Sequence, residues 1–311
     1  MADVVVLSGG VGGARFVRGL LDAVPPAEVT VIGNVGDDTE VLGLHVSPDL
    51  DSLLYTLTDR NDEKRGWGRR DESWNALETV RELGDEESWF QLGDRDLGLH
   101  LVRTKALRAG EPLSAVTARA AAGFGLAARL LPATDDRLRT IVQTAAGELS
   151  LQEWFVKRRH EDEVDGLRFE GAESASPAPG VLEAIADASV VMVAPSNPYI
   201  SIWPILAVPA IGEAVRSTAA PVVAVSPVIG GKAVKGPAGR MLERLAGGTT
   251  LAHVAACYEG LIHALVIDEA DAAGADALAA AGVRPHVTRT LMADREAARR
   301  LAEAALEAAR A

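Results

Sequence analysis

The sequence predicts a three-layer α/β/α fold around a mostly parallel sheet, with a helical insertion and a short antiparallel β segment. Three observations carry this. The chain opens as a strand–turn–helix–strand unit, the same alternation of short apolar runs with helical stretches returns in its last 140 or so residues, and the hydrophobic period between the two halves is different. Short β-branched strands alternating with helices imply parallel pairing with right-handed crossovers, which is a Rossmann-like arrangement.

In order, Asp3–Leu7 reads as the first strand, Ser8–Gly13 as a glycine turn, Ala14–Val24 as a helix and Val29–Gly33 as the second strand. Four helices follow at Asp49–Leu57, Glu72–Leu83, Asp94–Ala109 and Leu113–Phe124, each opened by an Asp, Glu, Ser or Pro start signal. The segment Arg60–Asp71 is charged, punctuated by glycine and expected to be a mobile surface loop. Arg139–Thr144, Glu148–Lys157 and Leu167–Gly171 read as antiparallel strands. The later strands are Ser189–Ala194, Pro221–Ser226, His263–Asp268 and His286–Thr290. Between and after them lie helices Val181–Ala188, Ala210–Ser217, Ala238–Leu245, Ala270–Ala281 and Asp294–Ala309. The expected division is a Rossmann-like core from residues 1–48 and 172–311, a helical insertion over 49–125, and an antiparallel β segment over 126–171 packed on the core.

Composition excludes several classes of function. The 311 residues carry 44 acidic and 31 basic side chains, a net charge of −13, with no basic stripe for nucleic acid or an anionic membrane. No apolar run approaches the ~18 residues of a membrane span, and no basic stretch precedes an apolar leader at the start. One cysteine, Cys257, allows no intramolecular disulfide. A cytoplasmic protein is the expectation. The histidines show no metal-binding spacing, and no Gly-x-Ser-x-Gly elbow is present. What remains is glycine loops and carboxylates, the parts from which phosphoryl transfer is built.

The first such part is Gly9-Gly10-Val11-Gly12-Gly13 between strand and helix. Glycines there admit a phosphate to helix N-terminal amides; the alternative is a tight turn with close helix packing. No Walker lysine follows, and Arg15 stands where a dinucleotide fingerprint has its last glycine. Next, Asn34-Val35-Gly36-Asp37-Asp38-Thr39 trails the second strand, at the carboxyl edge where α/β sheets bind ligands. Asp37 and Asp38 there hold Mg²⁺ or substrate, or else cap a turn. In Pro48-Asp49-Leu50-Asp51, Asp49 reads as the N-cap of its helix and Asp51 as the functional carboxylate. In Leu92-Gly93-Asp94-Arg95-Asp96, capping explains Asp94, and Arg95 has the reach toward a ligand. Ser196 and Asn197 follow a strand between two prolines, either as ligand contacts or within a rigid turn. Gly230, Gly231 and Lys232, continuing to Lys235 and Gly239, read as a second phosphate-type loop.

Taken in order, the stretches LSGGVGGARFVRGL (Leu7–Leu20), NVGDDTEVLGLHVSPDLDSLLY (Asn34–Tyr55), LGDRDLGLHLVRTKALRAGEPLS (Leu92–Ser114), LQEWFVKRR (Leu151–Arg159), PSNPYISIWPIL (Pro195–Leu206) and SPVIGGKAVKGPAGRML (Ser226–Leu242) span nearly the whole chain. They resemble the 2-phospho-L-lactate transferase / phosphoenolpyruvate transferase family of coenzyme F(420) biosynthesis. The resemblance implies a Mg²⁺-dependent enzyme that moves a phosphoenolpyruvate or 2-phospho-L-lactate group from a GDP-activated donor. The acceptor would be the ribityl hydroxyl of the deazaflavin Fo, and GMP would leave. It assigns acceptor contacts to Asp51 and Arg95 and the metal to Asp37, Asp38 and Asp51. Diphosphate and guanosine contacts fall to Gly9, Gly10, Gly12, Gly13, Ser196, Asn197, Gly230, Gly231 and Lys232. Catalysis falls to Asp51, Asp37 and Arg95, with Asp51 as first candidate for the hydroxyl proton.

The alanine-rich, arginine-over-lysine composition suggests a GC-rich genome, and relatives of that origin favour the enolpyruvyl donor. Two rivals share parts of the pattern. A nucleotide-sugar-binding regulator of the related gluconeogenesis-factor group shares the opening glycines and Gly-Asp-Asp, but not the Pro48–Asp51 and Leu92–Asp96 elements. A Rossmann-type oxidoreductase is opposed by the missing last glycine. A homodimer is the default assembly, with Ile200–Val208 read either as interface or as buried core.

Overall fold

The computed structural model describes residues 3–234 and 236–310; Lys235 falls outside them. Seven parallel strands form the main sheet: β1 (Val4–Ser8), β2 (Val29–Gly33), β3 (Arg129–Pro132), β4 (Val190–Val193), β5 (Val222–Val225), β6 (Ala264–Asp268) and β7 (Arg284–Thr288). Their spatial order is β3-β2-β1-β4-β5-β6-β7. The order reverses between β1 and β4, so the crevice beyond their carboxyl ends is the place where such sheets take ligands. Every residue of β1, β4, β5 and β6 is buried, which is why these strands read as continuous Val, Ile, Leu and Ala runs instead of alternating.

Helices cover both faces. In chain order they are α1 (Gly10–Ala23), α2 (Pro48–Leu57), α3 (Asn75–Glu82), α4 (Asp94–Arg108), α5 (Leu113–Phe124), α6 (Val181–Asp187), α7 (Trp203–Leu206), α8 (Pro209–Ser217), α9 (Ala238–Ala246), α10 (Leu251–Ala256), α11 (Ala275–Ala280) and α12 (Arg295–Arg310). No single helix among the described residues is long and apolar enough to cross a membrane.

Helix α1 packs on α2 and, most closely, on α12. Gly19 makes that crossing: a Cβ there would run into the backbone of Ala298 and stand 2.7 Å from the Arg299 nitrogen. Backbone cannot rotate away, so Gly19→Ala is expected to cost at least about 1–3 kcal/mol by forcing the helices apart. Urea denaturation of the variant checks this, and an unchanged midpoint would contradict it.

Several elements differ from the sequence reading. The glycine turn is mostly helix, since α1 already starts at Gly10. The four-residue run Arg129–Pro132, placed by sequence within the antiparallel segment 126–171, pairs with β2 at the edge of the main sheet. Proline is tolerated at such an edge. The long strand expected over Glu148–Lys157 stops at Ser150 and gives way to a π-helical turn, Glu153–Lys157. Leu151 and Trp154, three apart, are both buried, and the indole N–H donates to the Asp162 carbonyl (3.0 Å), so helical spacing wins over alternation. The true three-stranded antiparallel sheet joins Gly147–Ser150, Arg139–Thr144 and Gly166–Glu170.

Arg60–Asp71 is not an open loop. Asn61 and Arg69 form a β-bridge, Asp62 accepts from the backbone of Lys64 and Arg65, and the Arg65 guanidinium lies 4.9 and 4.8 Å from the Trp67 and Trp74 rings. Ile200, Ile202, Ile205 and Val208 are core residues, which accounts for most of the apolar Ile200–Val208 stretch, while Trp203, Leu206 and Ala207 are partly buried.

Candidate active site

The site grows from the loop after β2. Asn34 is fully buried; its side-chain NH₂ donates to Asp49 Oδ2 (2.9 Å) and to the Ile200 carbonyl (3.0 Å), and its Oδ1 accepts from Gly36 N–H (2.8 Å). That clamp presents Asp37 and Asp38, both buried, beyond the end of the strand. Asp38 Oδ2 accepts from Ser47 Oγ (3.0 Å) and lies 2.9 Å from His45 Nε2. Asp37 Oδ1 and Asp38 Oδ1 are buried with no hydrogen-bond partner among the described residues. Unmatched buried carboxylate oxygens are costly and are retained where something else satisfies them.

Asp49 is not the N-cap of its own helix, as the sequence reading had it. Ser47 holds that position, and the Asp49 carboxylate crosses to α1, where Oδ1 accepts from Gly10 N–H (2.7 Å). It therefore caps a helix 39 residues away in sequence. Gly9 has no room for a side chain, because a Cβ would collide with the same carboxylate and stand 2.9 Å from Ser201 Cβ.

The four carboxylates Asp37, Asp38, Asp49 and Asp51 thus converge. Burial, then the charges of Asp49 and Asp38, push Asp37 well above the usual carboxylate range. Burial raises Asp49 to about 6 against the opposing hydrogen bonds from Asn34 and Gly10. Asp51 is different: the buried Arg103 guanidinium grips both its oxygens. Burial depresses Arg103, but the Asp51 carboxylate and its hydrogen bonds leave it raised overall. Behind this pair, Asp96 accepts from Tyr55 OH (2.5 Å) and is raised to about 7, mainly by burial and then by Asp51. His100 lies 3.7 Å from Asp96 and is lowered to about 4 by burial.

These shifts set a pH dependence. A carboxyl raised in the folded state stabilises below its unfolded value and loses that contribution as pH rises through the folded one. Asp37, Asp49 and Asp96 all act this way; His100, lowered, acts oppositely between about 4 and its ordinary value of 6.5. Three groups oppose one, so the ligand-free protein is expected to melt lower at pH 8 than at pH 5.5. A flat or rising melting profile over that range would contradict the raised carboxyls.

The remaining sequence candidates fall as follows. Gly9 N–H points to Ser196 Oγ (3.4 Å), which donates to the Gly9 carbonyl (2.7 Å). Ser196 and α1 thus stitch the β1 and β4 ends together. Gly12 and Gly13 lie in the first turn of α1; a Cβ on Gly12 would stand 3.2 Å from the Pro195 carbonyl and one on Gly13 would collide with Ser8 and Ser196. Close packing therefore accounts for Gly9 and Gly13, while the backbone of Gly10, at φ +68°, favours glycine on its own. Asn197 caps the π-helical turn that follows, accepting from Tyr199 N–H (3.0 Å).

Gly230 and Gly231, both at positive φ, form the tip of a two-residue hairpin between Val228–Ile229 and Lys232–Ala233. Their amides are already taken by Asp271 (2.8 and 3.0 Å), and Lys232 is exposed. Asp94 caps α3 through Asn75 and Ala76 N–H, while Glu72 caps α4 through Arg95 and Asp96 N–H. Arg95 is exposed at the start of α4, and its carbonyl accepts from Arg69 (3.1 Å).

A cavity of about 250 Å³ opens against the carboxylates, lined by Asp37, Asp38, Arg137, Arg139, Thr140 and Gln152 among others. Among the described residues no three His, Cys, Asp or Glu side chains form a closed metal cluster. Mg²⁺ does not need one, since it is held by one or two carboxylates with water and substrate phosphates completing the shell. The unpartnered oxygens of Asp37 and Asp38 fit that role; Asp51, gripped by Arg103, does not present a free carboxylate in this arrangement.

Known proteins place the chain. The family model described as 2-phospho-L-lactate transferase CofD matches residues 4–307. A phosphoenolpyruvate transferase of Streptomyces griseus is 46% identical over 311 residues, covering 98% of both chains. One of Kitasatospora aureofaciens is 45% identical, covering 97% of this chain and 96% of its own. A crystal structure of a UPF0052 family protein from Bacillus halodurans superposes with a TM-score of 0.65 over 98% of this chain and 100% of that one, at 19% identity, which establishes the shared fold alone.

Proposed function

The chain belongs to the 2-phospho-L-lactate transferase CofD family and is a transferase of coenzyme F(420) biosynthesis. On that premise we propose that it transfers an enolpyruvyl-bearing phosphoryl group from a GDP-activated donor to the terminal ribityl hydroxyl of the deazaflavin Fo, releasing GMP in the cytoplasm. The observation that carries this is the buried carboxylate cluster at the end of β2, with Asp37 Oδ1 and Asp38 Oδ1 unpartnered beside a cavity. The enolpyruvyl choice follows the names of the relatives.

Asp37 and Asp38 are the residues to hold Mg²⁺, which when bound would neutralise charge on the donor diphosphate. The chain's own groups do the positioning. The Asn34 clamp fixes the turn that carries the two aspartates. Arg103 holds Asp51 in place by donating to both its oxygens, and each Asp51 oxygen retains a lone pair for an acceptor hydroxyl and its proton. Arg95, exposed at the start of α4, reaches the acceptor from outside. The dipole and remaining amides of α1, next to the β1–β4 crevice, attract the diphosphate.

Deazaflavin fluorescence on titration with protein, with Mg²⁺ and GDP present, tests the acceptor half. Binding in the micromolar range is expected to weaken about tenfold in Arg95→Ala, the loss of one charged hydrogen bond. A protein that ignores the deazaflavin and binds a UDP-sugar instead would be a nucleotide-sugar regulator.

A further inference from the structure

The antiparallel sheet supplies part of the cavity's lining beside the carboxylates, and that part has no assigned role. Arg139 and Thr140 lie at the start of its central strand, and Thr140 N–H donates to the Gly36 carbonyl (2.7 Å), which docks that strand on the Asp37 loop. Arg139 is half-buried. Its described hydrogen bond is to the Leu138 carbonyl (2.8 Å), and among the described residues it forms no ion pair within 4.0 Å. Burial is the larger influence and disfavours its charge, while Asp38 and Asp37 lie near enough to favour it. Its neighbour Arg137 is spent on Glu170 (3.0 Å) and is 70% exposed.

A half-buried guanidinium near two buried carboxylates would ordinarily close onto one of them. Here Arg139 lines the same cavity without doing so, and Thr140, 1% exposed and with its Oγ1 lacking any partner among the described residues, lines it too. Two carboxylates, an uncommitted guanidinium and an unpartnered hydroxyl thus share one cavity of mixed polarity. It suits a ligand whose oxyanion meets the guanidinium. Among the described cavity-lining residues, Arg137 and Arg139 are the only cations, and only Arg139 is uncommitted.

Resting on the proposed function, we propose that Arg139, with Thr140 Oγ1, binds an oxyanion of the nucleotide-activated donor, phosphate or carboxylate, in the cavity that Asp37 and Asp38 also line. Guanidinium is the group suited to two-pronged recognition of either. The donor is thereby read by the antiparallel segment as well as by the parallel core.

The test is calorimetric titration of the Mg²⁺-loaded protein with GDP and, separately, with phosphoenolpyruvate, for wild type, Arg139→Gln and Thr140→Val. Thr140→Val keeps the shape of the side chain, and circular dichroism with melting curves confirms folding of both variants. A loss of about 10- to 100-fold in GDP affinity in Arg139→Gln, with a smaller loss in Thr140→Val, supports the proposal and identifies a phosphate. The same loss confined to phosphoenolpyruvate supports it and identifies the three-carbon acid. Wild-type binding with both variants within about twofold overturns it. A wild type that binds neither probe contradicts the donor reading itself, and the Arg139 assignment falls with it.

Discussion

Arg103→Met is expected to destabilise the protein by about 3–5 kcal/mol, the usual cost of removing one partner from a buried ion pair. Arg103 is 3% exposed and Asp51 5%, so the abandoned carboxylate has no access to water to replace the guanidinium. His100 lies 3.8 Å from Asp51 but is disfavoured as a cation by its own burial. The double variant Asp51→Asn/Arg103→Met removes the stranded charge and is expected to recover part of the loss, as buried pairs replaced together often cost little. Urea denaturation of the two variants and wild type measures this. A single variant within about 1 kcal/mol of wild type would show that the pair does not organise α2 against α4.

The second large effect runs the opposite way for stability. Asp37→Asn is expected to lower turnover by about 10²-fold or more, the scale of losing one strong electrostatic contact to the reacting phosphate, while raising the melting temperature of the ligand-free protein. The reason lies in the cluster: Asp37 is buried beside Asp49 and Asp38, and its ionised form is opposed by both burial and their charge. An amide of the same shape removes that repulsion. Sites of this kind hold groups that the fold alone would not choose. Asp38→Asn should lose activity similarly but gain less stability, because Asp38 Oδ2 accepts from Ser47 and its amide replacement would disturb that bond. Melting curves with and without Mg²⁺, beside steady-state rates, separate the two effects. Loss of stability together with activity in Asp37→Asn would mark the aspartate as structural.

The parallel core was legible because its strands are short, apolar and β-branched, and burial on both faces removes any need for alternation. Strand β3 escaped because Arg129-Leu130-Leu131-Pro132 offers only two apolar residues and ends in a proline, which marks an edge and not a centre. Local placement drew attention to Asp37, Asp38 and Asp51, which the fold brings together with Asp49. It failed for Asp49, since an aspartate at a helix start already has a sufficient local explanation and Gly10 lies far away in sequence. Arg103 and His100 did leave a signal: Asp96, His100 and Arg103 recur at helical spacing on one face of α4, with opposite charges. Arg139 and Thr140 left none, because a strand residue's neighbours do not tell which wall of a cavity it will line. The second glycine loop misled in the other direction. Gly230 and Gly231 serve a hairpin turn whose amides Asp271 already occupies.

The most direct measurement is product analysis by mass spectrometry after mixing the purified protein with Mg²⁺, the deazaflavin Fo and the GDP-linked enolpyruvyl donor. The expected result is a new species carrying the deazaflavin joined through phosphate to the enolpyruvyl acid, formed in step with an equal amount of GMP. No adduct, or release of GDP in place of GMP, would mean that the bond broken is not the one between the two phosphates, and would contradict the proposed reaction.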